Sequence, residues 1–350
     1  MRMRAPLALT ATAVLVAGGI AGAAEWSLPA TQVSGDQPTS MTPAVVVDGS
    51  GIATALWAPD ISLPGPIRAS RFANGAWSAP QDVSAGGSLV TFPVATVDSS
   101  GVVTAVWARE QGSDYILQAS RFSGGAWSAP VSLTPPGGIA GYSDLAVDAA
   151  GRVTAVWQRQ VGTTMMVQSA RFANGAWSAA QDIGIANTLP SSANPQVTVD
   201  GSGAATAVWM ASALGHTTVQ ASRNSTGAWT VPQDISPTGG SDIAYPPQVV
   251  AAPSGTVTAM WHQSVVGGNE VRYAQYSGSN WSSSAVITGS TSAGTLYPQV
   301  VVDSSGVFTA AWSQGIGSGS SRVYAARLNG GTWSSPVPIS TSGLNAETPK

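Results

Sequence analysis

Cysteine is missing from this chain and charge is scarce. There are two histidines (His216 and His262), one lysine (Lys350), and only 9% of the 350 residues are charged. Without thiols there is no thiolate nucleophile, no disulfide framework and no Cys/His zinc cluster. Two histidines leave little room for a Ser–His–Asp triad. A net charge of −3 offers no basic field to gather phosphates, which argues against nucleic acid as a partner. An average chain is about a quarter charged, so this one builds its surface from Ser, Thr, Gly, Asn and Gln. Nothing in the composition calls for a cofactor.

The first 24 residues read as a secretory signal peptide. Arg2 and Arg4 form a positive start, an apolar run extends from Ala5 to Ile20, and Ala21-Gly22-Ala23-Ala24 supplies small residues for cleavage. No other stretch approaches the ~20 apolar residues of a membrane span. Cleavage leaves 12 basic against 17 acidic groups. The sequence therefore predicts a secreted or periplasmic chain, off the membrane once cleaved. Its core must stand without disulfides.

What the chain has in quantity is a repeat. A Thr-Ala-x-Trp-like segment ends at Trp57, Trp107, Trp157, Trp209, Trp261 and Trp312, 50 to 52 residues apart. A Gly-x-Trp-Ser-x-Pro-like segment holds Trp26, Trp77, Trp127, Trp177, Trp229, Trp281 and Trp333, and the two sets account for all 13 tryptophans. Each repeat carries four short, alternating, β-branched runs between turn residues, which predicts four strands. Four antiparallel strands per ~50 residues, repeated six times, predict an all-β fold, a β-propeller of four-stranded antiparallel blades over 25–340. Strands 25–34 form a spare fourth strand, and 341–350 is a tail or the start of a further repeat. Six blades are expected, or seven if the chain is a truncated form.

Turn chemistry separates the two ends of each repeat. Between first and second strands stand Asp48–Gly51, Asp98–Gly101, Asp148–Gly151, Asp200–Gly203 and Asp303–Gly306, with type I turn spacing; the fifth repeat has Ala252-Pro253-Ser254-Gly255. These aspartates come singly, without the clustered oxygens calcium needs, so no metal site is assigned. Tight hairpin dipeptides such as Asn74-Gly75 and Asn174-Gly175 join third to fourth strands. The other two connections are long and differ in every copy. Because strands alternate direction, they emerge together at the opposite end, where binding and catalysis are expected.

That end collects the unusual side chains. Arg109, Glu110, Tyr115, Tyr142, His216, Tyr245, His262 and Tyr297 are the candidate ligand-binding residues. Rings beside polar groups suit saccharides, which stack on aromatic faces and hydrogen-bond at their edges; the Tyr–Pro pairs could equally brace the strand entry. No catalytic residue is assigned outright. With four glutamates in the chain, an enzyme would draw its acid and base from Glu110 or Asp114 paired with Asp242 or Glu270, which must stand roughly 5–10 Å apart to hydrolyse a glycoside. Third-strand arginines (Arg71, Arg121, Arg171, Arg223 and Arg327) precede the fourth-strand Trp by six residues, with Gln275 in the fifth repeat. They are expected to meet the turn aspartate or the Trp ring.

The Val-Asp-x-x-Gly-x-x-Thr-Ala-Val-Trp and Ala-Ser-Arg-Phe-x-x-Gly-x-Trp-Ser-x-Pro segments resemble the repeats of secreted bacterial β-propeller proteins often labelled sialidase-like. The sialidase Asp box is absent, since Asp98 stands nine residues before Trp107, and no arginine triad can be assigned. A second, architectural resemblance is to propeller lectins with one Trp-rich site per blade gap. Together these imply a secreted, non-enzymatic, lectin-like protein that recognises carbohydrate or another cell-surface ligand. A protein–protein interaction scaffold and a glycoside hydrolase or lyase stand as the alternatives.

Overall fold

The computed structural model describes residues 32–34, 40–60, 62–187, 193–213, 216–237, 242–288, 294–317 and 320–341. The signal segment over 1–24 and the tail beyond 341 lie outside the described residues. Of the strand expected over 25–34 only residues 32–34 are described, and they are not in a strand.

Every regular element among the described residues is a strand, and the pairing follows the repeat. First strands are Ser40–Val47, Val90–Val97, Ile139–Val147, Gln196–Val199, Gln248–Ala251 and Thr295–Val302. Second strands are Ala53–Pro59, Val103–Gln111, Val153–Val161, Ala205–Ala213, Val257–Val265 and Phe308–Gly317. Third strands are Arg68–Ala73, Asp114–Ser123, Thr164–Ala173, His216–Asn224, Gly268–Tyr276 and Ser320–Asn329. First pairs with second and second with third, antiparallel throughout. The chain is all-β, in several antiparallel sheets.

The fourth strand is broken, and its sequence explains why. In the first repeat Ala76–Trp77 pairs with Phe72 and Ala73, the ladder lapses, and Gln81–Asp82 resumes it. Pro80 has no amide to continue the ladder there, as Pro130, Pro232 and Pro336 have none in theirs, although the break recurs with Ala180 and Ser284. The hydroxyl of Ser78 instead accepts the Arg71 amide at 3.1 Å, and Ser128, Ser178, Thr230, Ser282 and Ser334 repeat that bond to their own third strands at 3.0–3.1 Å. Six residues on, Ser84, Thr134, Ser236, Thr288 and Ser340 accept a second third-strand amide. Two hydroxyls thus replace the ladder bonds that the break removes. The third repeat departs at the second position, where Gly184 stands and the resumed segment is longer, Gln181–Asn187.

The described residues cluster into two compact units. One runs to Glu110 and includes Gln118–Val131; the other holds Gln111–Leu117 and the chain from Ser132. In the first unit the first strands of repeats one and two lie side by side, and in the second so do those of repeats three to six in succession. Within these units, four of the second-strand Trp residues pack on the repeat before them. Trp107 meets Leu56, Ile67 and Val83; Trp209 meets Val156, Val167 and Ile183; Trp261 meets Val208, Val219 and Ile235; Trp312 meets Met260 and Val271. All four are 0% exposed. At ~25 cal/mol/Å² over ~150–250 Å², each contributes at most about 4–6 kcal/mol. That is reason enough for a Trp in every copy. Among the described residues no helix is long and apolar enough to cross a membrane.

Candidate functional site

At the end carrying the long connections, most of the candidate residues hold the backbone together. Arg109 reaches the Ser88 hydroxyl at 3.4 Å. Arg159, two residues after its own Trp in the same way, donates to the carbonyls of Pro135 and Pro136 at 3.1 and 3.2 Å. Glu110 and Tyr115 use their amides on Leu89 and Gly138, and the Asp114 carboxylate accepts the Gly137 amide at 2.7 Å. His216 stands at a hairpin end, paired with Ala213.

The fifth repeat brings four of the predicted residues close together. The His262 ring, 5% exposed, stacks on Tyr245 with centroids 4.4 Å apart, and its Nε2 meets Asn269 at 2.8 Å. Burial lowers the His262 pKa, against the Asn269 hydrogen bond, so the ring is neutral at physiological pH. On the other face of the same strand Gln263, 0% exposed, takes the Trp261 indole N–H on its oxygen and donates to Asp242 at 3.4 Å. Glu270 is the strand partner of Gln263 and is held by Arg272 at 2.7 Å. Asp242 and Glu270 therefore flank one buried amide, each already engaged.

The aromatic residues at the strand entry divide into two kinds. Phe92, Tyr142 and Tyr297 adopt φ of +52, +49 and +46° at a bulge in the first strand, as does Thr42, and Asn194 has a positive φ just before its own first strand. The left-handed region is costly for a bulky residue. Pro246 occupies this place in the fifth repeat and cannot enter that region. Tyr245 is thus one residue out of step with the others, which is why it is free to lie on His262.

A group the sequence did not single out lies on the third first strand. The Asp144 Oδ2 accepts the Val197 amide from the neighbouring first strand at 2.8 Å. Burial pushes its carboxyl up to about 6, against the amides of Val197 and Leu145. Nothing local marks this aspartate, because its burial comes from a strand more than fifty residues later.

At the tight-turn end the structure forms a ladder of ion pairs. Arg71–Asp48 (3.8 Å), Arg121–Asp98 (3.5 Å), Arg171–Asp148 (3.1 Å), Arg223–Asp200 and Arg327–Asp303 (3.4 Å) join third strand to turn. Each of these aspartates gives its other oxygen to turn amides, for instance those of Ser50 and Ile52 for Asp48. The fifth repeat has lost both partners together, as Ala252 and Gln275; the Gln275 amide donates to Thr258 instead. Arg71 also lies 4.3 Å from the Phe122 centroid and Arg223 lies 4.6 Å from that of Tyr276, each ring belonging to the next repeat. The same ring position packs on its own fourth-strand Trp, as Phe72 on Trp77 and Phe172 on Trp177, at 5.4 and 5.6 Å.

In the fourth repeat that ring is missing. Asn224 stands where the others have Phe, Tyr or Leu328, so Arg171 of the third repeat faces no ring and Trp229 has none on its strand. The result is a cavity of about 380 Å³ between repeats three and four, lined by Arg171, Trp177, Gln181, Asn224 and Trp229 with Thr154 and Ser178. Two half-buried indoles, a guanidinium, two amides and hydroxyls face one space, within the size range of small-molecule sites. No carboxylate is among the described lining residues. The signal was in the sequence, where Ser-Arg-Phe becomes Ser222-Arg223-Asn224; its consequence needed the neighbouring repeat.

No protein-family model and no curated protein matches the chain. Among solved structures, an ulvan lyase of a polysaccharide lyase family is 11% identical, with a TM-score of 0.51 over 81% of this chain and 78% of that one. It has also been solved bound to a [GlcA(1-4)Rha3S] saccharide. The polysaccharide lyase Uly1 is 10% identical, with a TM-score of 0.50 over 82% and 76% of the two chains. An intramolecular trans-sialidase from Ruminococcus gnavus follows at 8% and 0.47, over 78% and 90%. At such identities the likeness is one of fold, and no residue role carries over. The chain shares a β-rich fold with the two lyases.

Proposed function

We propose that this chain is a secreted saccharide-binding protein without catalytic activity, its six repeats forming the blades of a propeller. The observation that carries the reading is the cavity between repeats three and four, where Asn224 stands in place of a ring and Trp177, Trp229, Arg171 and Gln181 line a space of sugar size. Indole faces take the apolar side of a pyranose, and the amides and guanidinium take its hydroxyls. Among the described lining residues there is no acid–base pair, which suits binding without bond cleavage. The β-rich fold shared with polysaccharide lyases supports a carbohydrate ligand.

A glycan array probed with the chain from Glu25 onward tests this. Binding to a defined saccharide family is expected, lost in Trp177→Ala and in Asn224→Phe, which puts back the ring that Phe72, Phe122, Phe172 and Tyr276 supply in their own repeats. A blank array from folded protein, or binding unchanged in Asn224→Phe, overturns the reading.

A further inference from the structure

At the Asp148 turn, which meets the cavity through Arg171, charge is not balanced as it is at the other turns. Asp148, its side chain 2% exposed, is shared by two guanidiniums: Arg152 Nε at 2.5 Å and Arg171 Nη2 at 3.1 Å. In the next repeat Asp200 and Arg223 pair one to one, with Arg223 also on the Thr206 hydroxyl. The pairs of repeats one, two and six are likewise single, and the fifth repeat is neutral here. Arg152 is peculiar to its repeat; the same turn position holds Ile52, Val102, Ala204, Thr256 and Val307. Burial works against ionised Asp148, yet the Arg152 amide and guanidinium outweigh it and hold the carboxyl below the usual range. Both arginines lean across the gap. Arg171 donates to the Gly203 carbonyl at 3.2 Å, and a Cβ on Gly203 would collide with the Arg152 guanidinium. The next carboxylate along the fourth strand, Asp182, accepts the Gln168 amide at 2.7 Å and is exposed to solvent, which screens its charge.

We infer that the saccharide taken in this cavity is an acidic one, carrying a carboxylate or a sulfate, with Arg171 contacting the anion and Arg152 supplying the uncompensated positive charge. The inference rests on the saccharide-binding reading above. One positive charge in excess beside a partly desolvated guanidinium favours an anion over a neutral sugar of the same shape. A planar carboxylate and a sulfate both match the guanidinium fork.

Affinity electrophoresis of the chain from Glu25 onward, through gels holding polygalacturonate, dextran sulfate or unmodified dextran, tests the inference at low and high salt. The acidic probes are expected to retard the protein at least tenfold more strongly than dextran, with the carboxylate and sulfate arms separating the two anion types. Arg152→Gln is expected to weaken acidic binding about three- to tenfold and leave dextran binding unchanged. Asn224→Phe is expected to abolish both. Equal retardation by dextran and the acidic probes, with Arg152→Gln without effect, overturns the acidic class while the saccharide reading stands. Retardation by acidic probes that persists in Asn224→Phe removes the anion from this cavity and overturns the inference. No retardation by any probe, with a folded protein, overturns both.

Discussion

The guanidinium carbon of Arg223 lies 4.6 Å from the centroid of the Tyr276 ring, which belongs to the next repeat. That ring also packs on its own Trp281 at 5.9 Å, so one aromatic residue caps an arginine and props an indole at once. Asn224 withdraws both contacts from Arg171 and Trp229. Asn224→Phe is therefore expected to stabilise the protein by about 1–2 kcal/mol, from a cation–π and an aromatic contact at roughly 0.5–1.5 kcal/mol each. Thermal unfolding of the variant checks this. A fall in Tm would mean that the gap cannot admit a ring.

Asp200 is 1% exposed at its side chain and Arg223 14%, and the hydrogen bonds of Ser202 and Arg223 hold the carboxyl below its usual range despite its burial. Removing one partner of a buried pair costs about 3–5 kcal/mol, whereas removing both costs far less. The fifth repeat, with Ala252 and Gln275, is the doubly substituted case made by the chain itself. Asp200→Ala alone is expected to destabilise by about 3 kcal/mol and Arg223→Gln alone by less, since the latter leaves the turn amides to satisfy the acid. Asp200→Ala with Arg223→Gln should recover at least half of the larger loss. Denaturant titration of the three variants gives the coupling, and simple additivity would refute it.

Gly184 occupies the place of Ser84, Thr134, Ser236, Thr288 and Ser340, yet restoring the hydroxyl is expected to harm the protein. A Cβ at Gly184 falls within the Trp209 ring, which is 0% exposed and packed on all sides. Gly184→Ser is expected to cost about 1–3 kcal/mol by overpacking. Ser236→Gly in the next repeat costs only a cap, about 1 kcal/mol. Comparing the two midpoints separates packing from repeat consensus.

Asp144 binds its proton more tightly in the folded chain than in the unfolded one, with its carboxyl raised to about 6 from 3.8. Across that window the folded state holds more protons, so stability falls as pH rises through it and levels off above. The full shift corresponds to about 3 kcal/mol, reduced by the residual exposure of the residue. Asp144→Asn keeps an oxygen for the Val197 amide and removes the titration. The variant and the native chain should be close in stability near pH 4, with the variant ahead by up to about 3 kcal/mol near pH 7. Denaturation midpoints at those two pH values measure the difference. Parallel pH profiles would show that the carboxyl is not held up by burial.

The strand repeat, its turns and the two sets of tryptophans were legible in the residues because each depends on local chemistry recurring every fifty residues. An Asp–x–x–Gly turn and an Asn–Gly hairpin form wherever they occur, and alternation along a strand marks its buried face. The Arg–Asp pairing was half legible. Its joint loss as Ala252 and Gln275 became one event only when the fold put those positions together. The strand-entry aromatics misled in one particular, because Tyr245 and Tyr297 look alike beside a proline until the bulge register sets Pro246, rather than Tyr245, in the place of Tyr297.

What the sequence determined by itself is the all-β repeat: which residues turn, which alternate and which indoles recur. What the tertiary structure alone decided is the meaning of the exceptions. Asn224 is an ordinary polar residue on its own strand and a missing wall for Arg171 of the repeat before it. Arg152 is a surface arginine in sequence and a second claimant on Asp148 in space, and Asp144 is buried by a strand it never meets along the chain. A repeat period specifies what each copy does to itself. Contacts between copies depend on two positions some fifty residues apart, and the free energy of a gap, a shared charge or a buried acid resides in those contacts.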